Sequence, residues 1–195
     1  MFENLDKYKI ILASNSPRRR ELLQELNIDF QVRVLDNIDE SYPEDLKPKQ
    51  IPEYLAVKKA EAYRQILLDE PDILLITADT VVINERTILG KPADEADALL
   101  MLRNLQGRAH KVISGVALTT RDKQVAFSVK TKVLMRSMNN DMLQWYIDRY
   151  KPLDKAGAYG IQEWIGLAAI DHIEGSYHNV MGLPTQRLFF ELINF

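Results

Sequence analysis

The apolar positions of this chain fall into short blocks whose period changes along its length. Residues 9–13 (KIILA) form a continuous apolar run and predict a buried strand. Ser14-Asn15-Ser16-Pro17 follows as turn chemistry, with Ser16 suited to cap a helix and Pro17 to occupy its first position. That helix is expected to reach about Leu26. Residues 29–35 read as a second strand, and 36–51 as a polar loop with two prolines. Over 53–70, Leu55, Ala56, Ala60, Tyr63, Ile66 and Leu67 recur at helical spacing and predict one long helix. Residues 72–83 hold two apolar runs, ILLI and VVI, around Thr77-Ala78-Asp79-Thr80. Asp94 opens a helix that Gly107 closes. Residues 111–120 and 124–136 pair as a hairpin. Residues 140–150 read as helix, 167–173 as strand and 183–193 as a last helix.

Strands alternating with helices, interrupted by a hairpin, predict an α/β fold with a mixed, partly parallel twisted sheet flanked by helices. No repeat and no Pro/Gly-rich linker divides the chain. The expectation is one domain over 1–195, with a bilobed form left open. Composition narrows the chemistry. The sequence has no cysteine, which excludes disulfides, zinc–thiolate sites, iron–sulfur clusters and thiol nucleophiles. With 25 Lys plus Arg against 28 Asp plus Glu the net charge is -3, which argues against a stable nucleic-acid partner. No apolar run approaches the ~18 residues of a membrane span, and residues 1–9 carry no secretory segment. A cytoplasmic protein without a membrane partner is expected. A homodimer stays open, since no apolar surface stripe demands one.

Several residues break local rules. Arg18, Arg19 and Arg20 stand in the first turn of a helix, where the macrodipole is already positive. An anion would resolve that conflict, and backbone N–H groups, the Ser14 and Ser16 hydroxyls and guanidinium forks suit a phosphate chain. The bland alternative is that at least one of the three, Arg20, is plain solvated surface. Asp79, between two apolar runs, is either a turn residue bonding its own backbone, or buried and paired, or chemically active. Lys59 falls on the apolar stripe of its helix and either snorkels or points into a cleft, whereas Lys58 lies off the stripe and reads as solvated. Lys91 sits on the short Gly90-Lys91-Pro92 turn. His110, His172 and His178 are scattered and read as structural. With no thiol and no histidine set, any metal would be a hard cation, magnesium or manganese, held by carboxylates and phosphate oxygens. Residues 154–162 (DKAGAYGIQ) are small enough for backbone to approach a flat ligand, and Gln162 could read a base edge; a tight loop on the sheet is the alternative. Residues 175–184 are either a second nucleotide wall or an ordinary strand–helix connection.

Six blocks, LASNSPRRRELL (12–23), ADTVV (78–82), GKP (90–92), GRAHKVISGV (107–116), DKAGAYGIQ (154–162) and GSYHNVMGLP (175–184), occur in the order found in the Maf-like nucleotide pyrophosphatases. The chain resembles that family over nearly its whole length, and the DKAGAYGIQ block is similar to the dTTP/UTP branch. The resemblance implies a fold related to the inosine triphosphatases. It also implies cleavage of a nucleoside triphosphate to the monophosphate and pyrophosphate with a divalent metal. It makes Asp79 the catalytic proton acceptor and associates Arg18, Thr80 and Gln162 with substrate choice. Ser14, Arg19, Glu40, Lys59 and Lys91 fall on the polar lining of phosphates and metal, with Glu40 and Asp79 the metal-binding or metal-orienting carboxylates. Three positions depart from the family pattern: Ser114 stands for Thr, Glu163 for Gly, and Thr185 for an apolar residue. The same chemistry on another base, such as a methylated guanine nucleotide, is one alternative. A non-enzymatic regulator of septum formation gripping its partner through the arginines is another. Asp79, Lys59 and Lys91 converging on one charge problem favour the enzyme.

Overall fold

The structure is a computed structural model that describes residues 3–195. Seven strands form one mixed sheet, consistent with the predicted class: β1 (Lys9–Leu12), β2 (Gln31–Val32), β3 (Ile73–Asn84), β4 (Thr87–Leu89), β5 (Ala109–Thr119), β6 (Gln124–Met135) and β7 (Ile170–Glu174). The order is β2-β1-β3-β5-β6-β7, with β4 also on β3. β1 runs parallel to both β2 and β3, while β3 with β4 and β6 with β7 are antiparallel. Between the strands lie α1 (Pro17–Glu25), α2 (Ile51–Glu61), α3 (Arg64–Asp69), α4 (Glu95–Leu105), α5 (Asn140–Tyr150), α6 (Trp164–Ala169), α7 (Tyr177–Met181) and α8 (Thr185–Ile193).

The chain divides into two compact units, and β3, β5 and β6 each contribute a segment to both. The first unit holds residues 3–79, 114–129 and 182–195 of the described chain. One of its apolar clusters packs Ala60, Tyr63 and Leu67 against Ile11, Ile73 and Leu75. The second unit holds Thr80–Ile113 and Lys130–Met181. Its core joins Leu102 and Leu105 of α4 and Leu143, Tyr146 and Ile147 of α5 to Val112, Val133 and Met135 of the sheet.

Three expected elements differ, each for a local reason. The helix expected over 53–70 is two helices. Tyr63 is buried, its hydroxyl donates to the Arg33 carbonyl and accepts from Leu35 N–H, both at 2.9 Å, and its own N–H turns to Ala60 O. A side chain anchored that firmly breaks the run between Glu61 and Arg64. The second strand shrinks to Gln31–Val32, both exposed at the sheet edge. The strand expected over 167–173 begins only at Ile170, because Trp164–Ala169 is helical and leaves Leu167 88% exposed.

Candidate active site

β1 ends at Leu12 opposite Ile76 of β3, and Ala13 N–H donates to Ile76 O at 2.9 Å. The chain then leaves the sheet through 13–16 and enters α1, capped by the Ser16 hydroxyl with Pro17 in the first turn. Asp79 lies just past the last β1 register pair, at the carboxyl end of the parallel β1–β3 pair, where open α/β sheets hold their ligands. It is not in a turn, because β3 continues through it to Asn84.

α2 is brought onto the sheet by two contacts. A side chain at Gly115 would lie 2.2 Å from the Glu53 nitrogen, so only glycine allows this approach. The Thr77 hydroxyl donates to Ala56 O at 2.7 Å. Lys59, next along α2, is paired with carboxylates instead of reaching out to solvent. Its Nζ stands 2.6 Å from Asp79 Oδ1 and 3.0 Å from Glu40 Oε1. The Lys59 and Asp79 side chains are each 13% exposed and Glu40 62%, so the cluster opens to solvent on the Glu40 side.

Glu40 belongs to the loop that periodicity could not place, and Lys58 holds it there. Lys58 Nζ binds Asp39 Oδ2 at 2.7 Å and the Ser41 carbonyl at 2.6 Å, while Ser41 N–H and hydroxyl donate to Asp39. The residues on either side of Glu40 are thus tied to α2. The Lys58 contact, with help from Ser41, pulls the Asp39 carboxyl down to about 2. The sequence reads Lys58 as solvated; the informative feature is a lysine beside Lys59 with Asp39 and Ser41 flanking Glu40.

The three arginines of α1 have different surroundings. Arg19 is bound by protein: Nε donates to Gly182 O at 2.8 Å, and one terminal nitrogen to Ala78 O at 2.9 Å and Ser14 Oγ at 3.4 Å. Burial, and then Arg18, push its guanidinium below the ordinary arginine range, while Asp79 and Glu40 pull the other way. Ser14 is buried, and its hydroxyl also accepts from Ser16 N–H. Ser14, Arg19, Glu40, Lys59 and Asp79 therefore form one polar cluster, with Arg18 in the field of Arg19. Arg20 does not join it. It lines a separate hollow with Gln24, Ile28, Asp29, Phe30 and Val32 and is half-buried there, with its Nε shielded from solvent and without an acceptor.

Thr80, Lys91 and Gln162 belong to the second unit. Thr80 follows Asp79 on β3 and is half-buried. Lys91 is exposed on its turn, and the Gly90 carbonyl beside it accepts from Gly157 N–H at 3.0 Å, which joins the GKP turn to the DKAGAYGIQ loop. Gly157 has φ +71, and a Cβ there would press on Val82 at 3.0 Å. Gln162 is exposed. His110 is structural as expected: its Nε2 meets the Tyr159 hydroxyl at 2.7 Å, and burial pushes the imidazole down to about 4. The run over 175–184 is pinned by Asn179, whose amide reaches Val112 O and Thr131 Oγ1.

Among the described residues no group of three or more His, Asp or Glu is arranged to hold a metal. Glu40 and Asp79 fit a different kind of site. A hard cation can take one or two protein carboxylates and complete its shell with phosphate oxygens and water. Lys59 engages Oε1 of Glu40 and Oδ1 of Asp79, which leaves the second oxygen of each for such a cation.

A capped helix start carrying three arginines, and a lysine bridging two carboxylates at the carboxyl end of the β1–β3 pair, make an arrangement suited to phosphates in an α/β protein. The chain belongs to the Maf-like proteins, whose family profile matches residues 9–195. It is 53% identical over 195 residues to a dTTP/UTP pyrophosphatase of Parabacteroides distasonis, covering 100% of both chains. A dTTP/UTP pyrophosphatase of Phocaeicola vulgatus is 54% identical over 192 residues, 98% of each chain. Among solved structures, a Staphylococcus aureus Ham1 protein aligns with TM-score 0.47 and 17% identity, over 65% of this chain and 71% of that one.

Proposed function

We propose that this chain hydrolyses dTTP and UTP to the nucleoside monophosphate and pyrophosphate. The observation that carries the reading is the Lys59 ammonium shared between Asp79 and Glu40 at the carboxyl end of the β1–β3 pair. The full-length similarity to dTTP/UTP pyrophosphatases supports the same reaction and the same bases.

A triphosphate asks a protein mainly for positioning and charge neutralisation. Ser14, Arg18, Arg19 and the N–H groups opening α1 hold phosphate oxygens. Asp79 takes the proton of a water attacking the α-phosphorus in line. The bond from that phosphorus to the bridging oxygen breaks, and pyrophosphate leaves with the electron pair. Lys59 orients the Asp79 carboxylate and, with Lys91, meets the negative charge that develops on the phosphates. Arg18, Thr80 and Gln162 govern substrate choice, with the Gln162 amide offering a donor and an acceptor to the O4 and N3–H of uracil or thymine. Glu40 and Asp79 would hold a magnesium or manganese ion, which would supply charge neutralisation for the phosphates when bound. No helix among the described residues is long and apolar enough to cross a membrane, and we place the enzyme with the cytoplasmic nucleotide pool.

The test is product identity across common and modified triphosphates, with pyrophosphate and orthophosphate assayed separately. Pyrophosphate with monophosphate, fastest from dTTP and UTP, is the expected result. Orthophosphate with a diphosphate left behind contradicts the cleavage position, and faster turnover of CTP or GTP contradicts the base assignment.

A further inference from the structure

Gln162 presents an exposed amide from a backbone that is pinned on both sides. Before it, Tyr159 and Ile161 are buried, and Gly160 N–H donates to the Tyr146 hydroxyl at 3.0 Å. After it, Glu163 N–H returns to Gly160 O at 3.0 Å and Gly166 N–H to Glu163 O at 2.9 Å. Gly166 lies so close to the Ile161 carbonyl that a Cβ would fall 1.7 Å from that oxygen.

The Glu163 side chain closes this frame. One carboxylate oxygen accepts from the Tyr146 hydroxyl, and the other is 3.1 Å from Lys155 Nζ, which also meets Asp154 at 2.7 Å. The Lys155 side chain is 9% exposed and that of Glu163 16%, so this pair is shielded far more than a surface ion pair. The carboxylate rests on Gly160, where an added Cβ would sit 2.8 Å from its Cδ. Residues 155, 160 and 163 are thereby joined through α5 around the one residue whose side chain points outward. Unpaired polar groups reject a wrong partner only when they cannot reorient, so a reading amide needs its backbone held. The small residues of the loop give no such stiffness by themselves.

We propose that Glu163, with Tyr146 and Lys155, is a positioning clasp that sets the base selectivity exerted through Gln162. The proposal rests on Gln162 being the base-reading residue. Glu163 touches no substrate in it; its charge is absorbed by Lys155, and its role is to keep the amide in one place.

The experiment compares kcat and KM for UTP and CTP in the parent protein and in Gln162→Ala, Glu163→Ala, Glu163→Gln and Tyr146→Phe, each checked by thermal melting. Gln162→Ala should collapse the UTP/CTP ratio of kcat/KM. Glu163→Ala and Tyr146→Phe should lower that ratio ~10-fold or more, through a raised KM for UTP, with kcat held within ~3-fold. Glu163→Gln still accepts from the Tyr146 hydroxyl and should recover part of the ratio. If Gln162→Ala collapses the ratio while Glu163→Ala and Tyr146→Phe leave it intact, the clasp is overturned and the base-reading role of Gln162 stands. If Gln162→Ala leaves the ratio unchanged, the base-reading role itself fails, and the clasp with it. Should Glu163→Ala not fold, Glu163→Gln and Tyr146→Phe decide: an unchanged ratio in both overturns the clasp.

Discussion

Replacing Arg19 with alanine separates what this arginine does for the fold from what it does for an anion. Its guanidinium makes two short contacts to backbone carbonyls, Gly182 O at 2.8 Å and Ala78 O at 2.9 Å. A hydrogen bond from a charged donor is worth ~1.5–3 kcal/mol, and the second contact tethers α1 to β3 beside Asp79. Relief of the burial cost and of the repulsion from Arg18 opposes the loss. The balance is a destabilisation of about 2 kcal/mol, the two charged bonds together outweighing the relieved burial and the partly screened repulsion. In a chain of this size each kcal/mol shifts Tm by ~2–4 °C, so Arg19→Ala should melt about 4–8 °C lower. Arg19→Lys keeps the charge but cannot serve both carbonyls with one fork, and should fall between parent and alanine. Calorimetry is the suitable assay, because two compact units can melt in separate transitions. Kinetics on the same samples should show a raised KM for dTTP in Arg19→Ala. An unchanged melt would refute the bracing role, leaving Arg19 as an anion ligand alone.

Two further outcomes follow from the surroundings of individual groups. Lys58→Met should free the loop that carries Glu40: the divalent-metal concentration giving half-maximal activity should rise several-fold, while Tm moves little because the Lys58–Asp39 pair is solvent-facing. Unchanged metal dependence would show that the loop needs no tether. His110 is buried, with its imidazole pushed down to about 4, below the ordinary histidine value of 6.5. The unfolded chain binds that proton first, so this residue's contribution is fully present above pH 6.5 and drains away as pH falls toward 4. The loss is on the order of 3 kcal/mol, and urea midpoints measured from pH 7 to 4 should decline accordingly. A flat profile over that window would contradict the buried neutral imidazole.

How much of this was legible in the sequence depended on whether a residue's role is local. KIILA, the Ser16–Pro17 cap and the paired apolar runs around Asp79 announced β1, α1 and β3 because period and capping are short-range signals. The helical stripe over 53–70 was real, yet it could not show that Tyr63 is anchored to Arg33 and Leu35, contacts about thirty residues distant that break the helix. At the site, charge misplaced against the dipole pointed to the arginines of α1 as a group and set Arg20 apart only as solvated surface. Only tertiary contacts distinguish Arg19, spent on carbonyls, from Arg20, which faces another hollow. Glu40 was legible through family resemblance alone, since the loop holding it has no period and its tether comes from α2. Glu163 is legible in the sequence only as a departure from the family pattern beside Gln162, because its partners, Tyr146 and Lys155, lie elsewhere in the chain.

Asp79 carries the central claim, and Asp79→Asn tests it with the least disturbance. The amide keeps the shape of the side chain and its place beside Lys59, but it cannot take a proton and brings no charge to a cation. The measurement is single-turnover release of pyrophosphate from dTTP with saturating magnesium or manganese, alongside equilibrium binding of dTTP to the same protein. The account predicts a fall of at least ~10²-fold in the cleavage rate with nucleotide binding retained. A folded Asp79→Asn protein that releases pyrophosphate at a rate close to the parent's would contradict it.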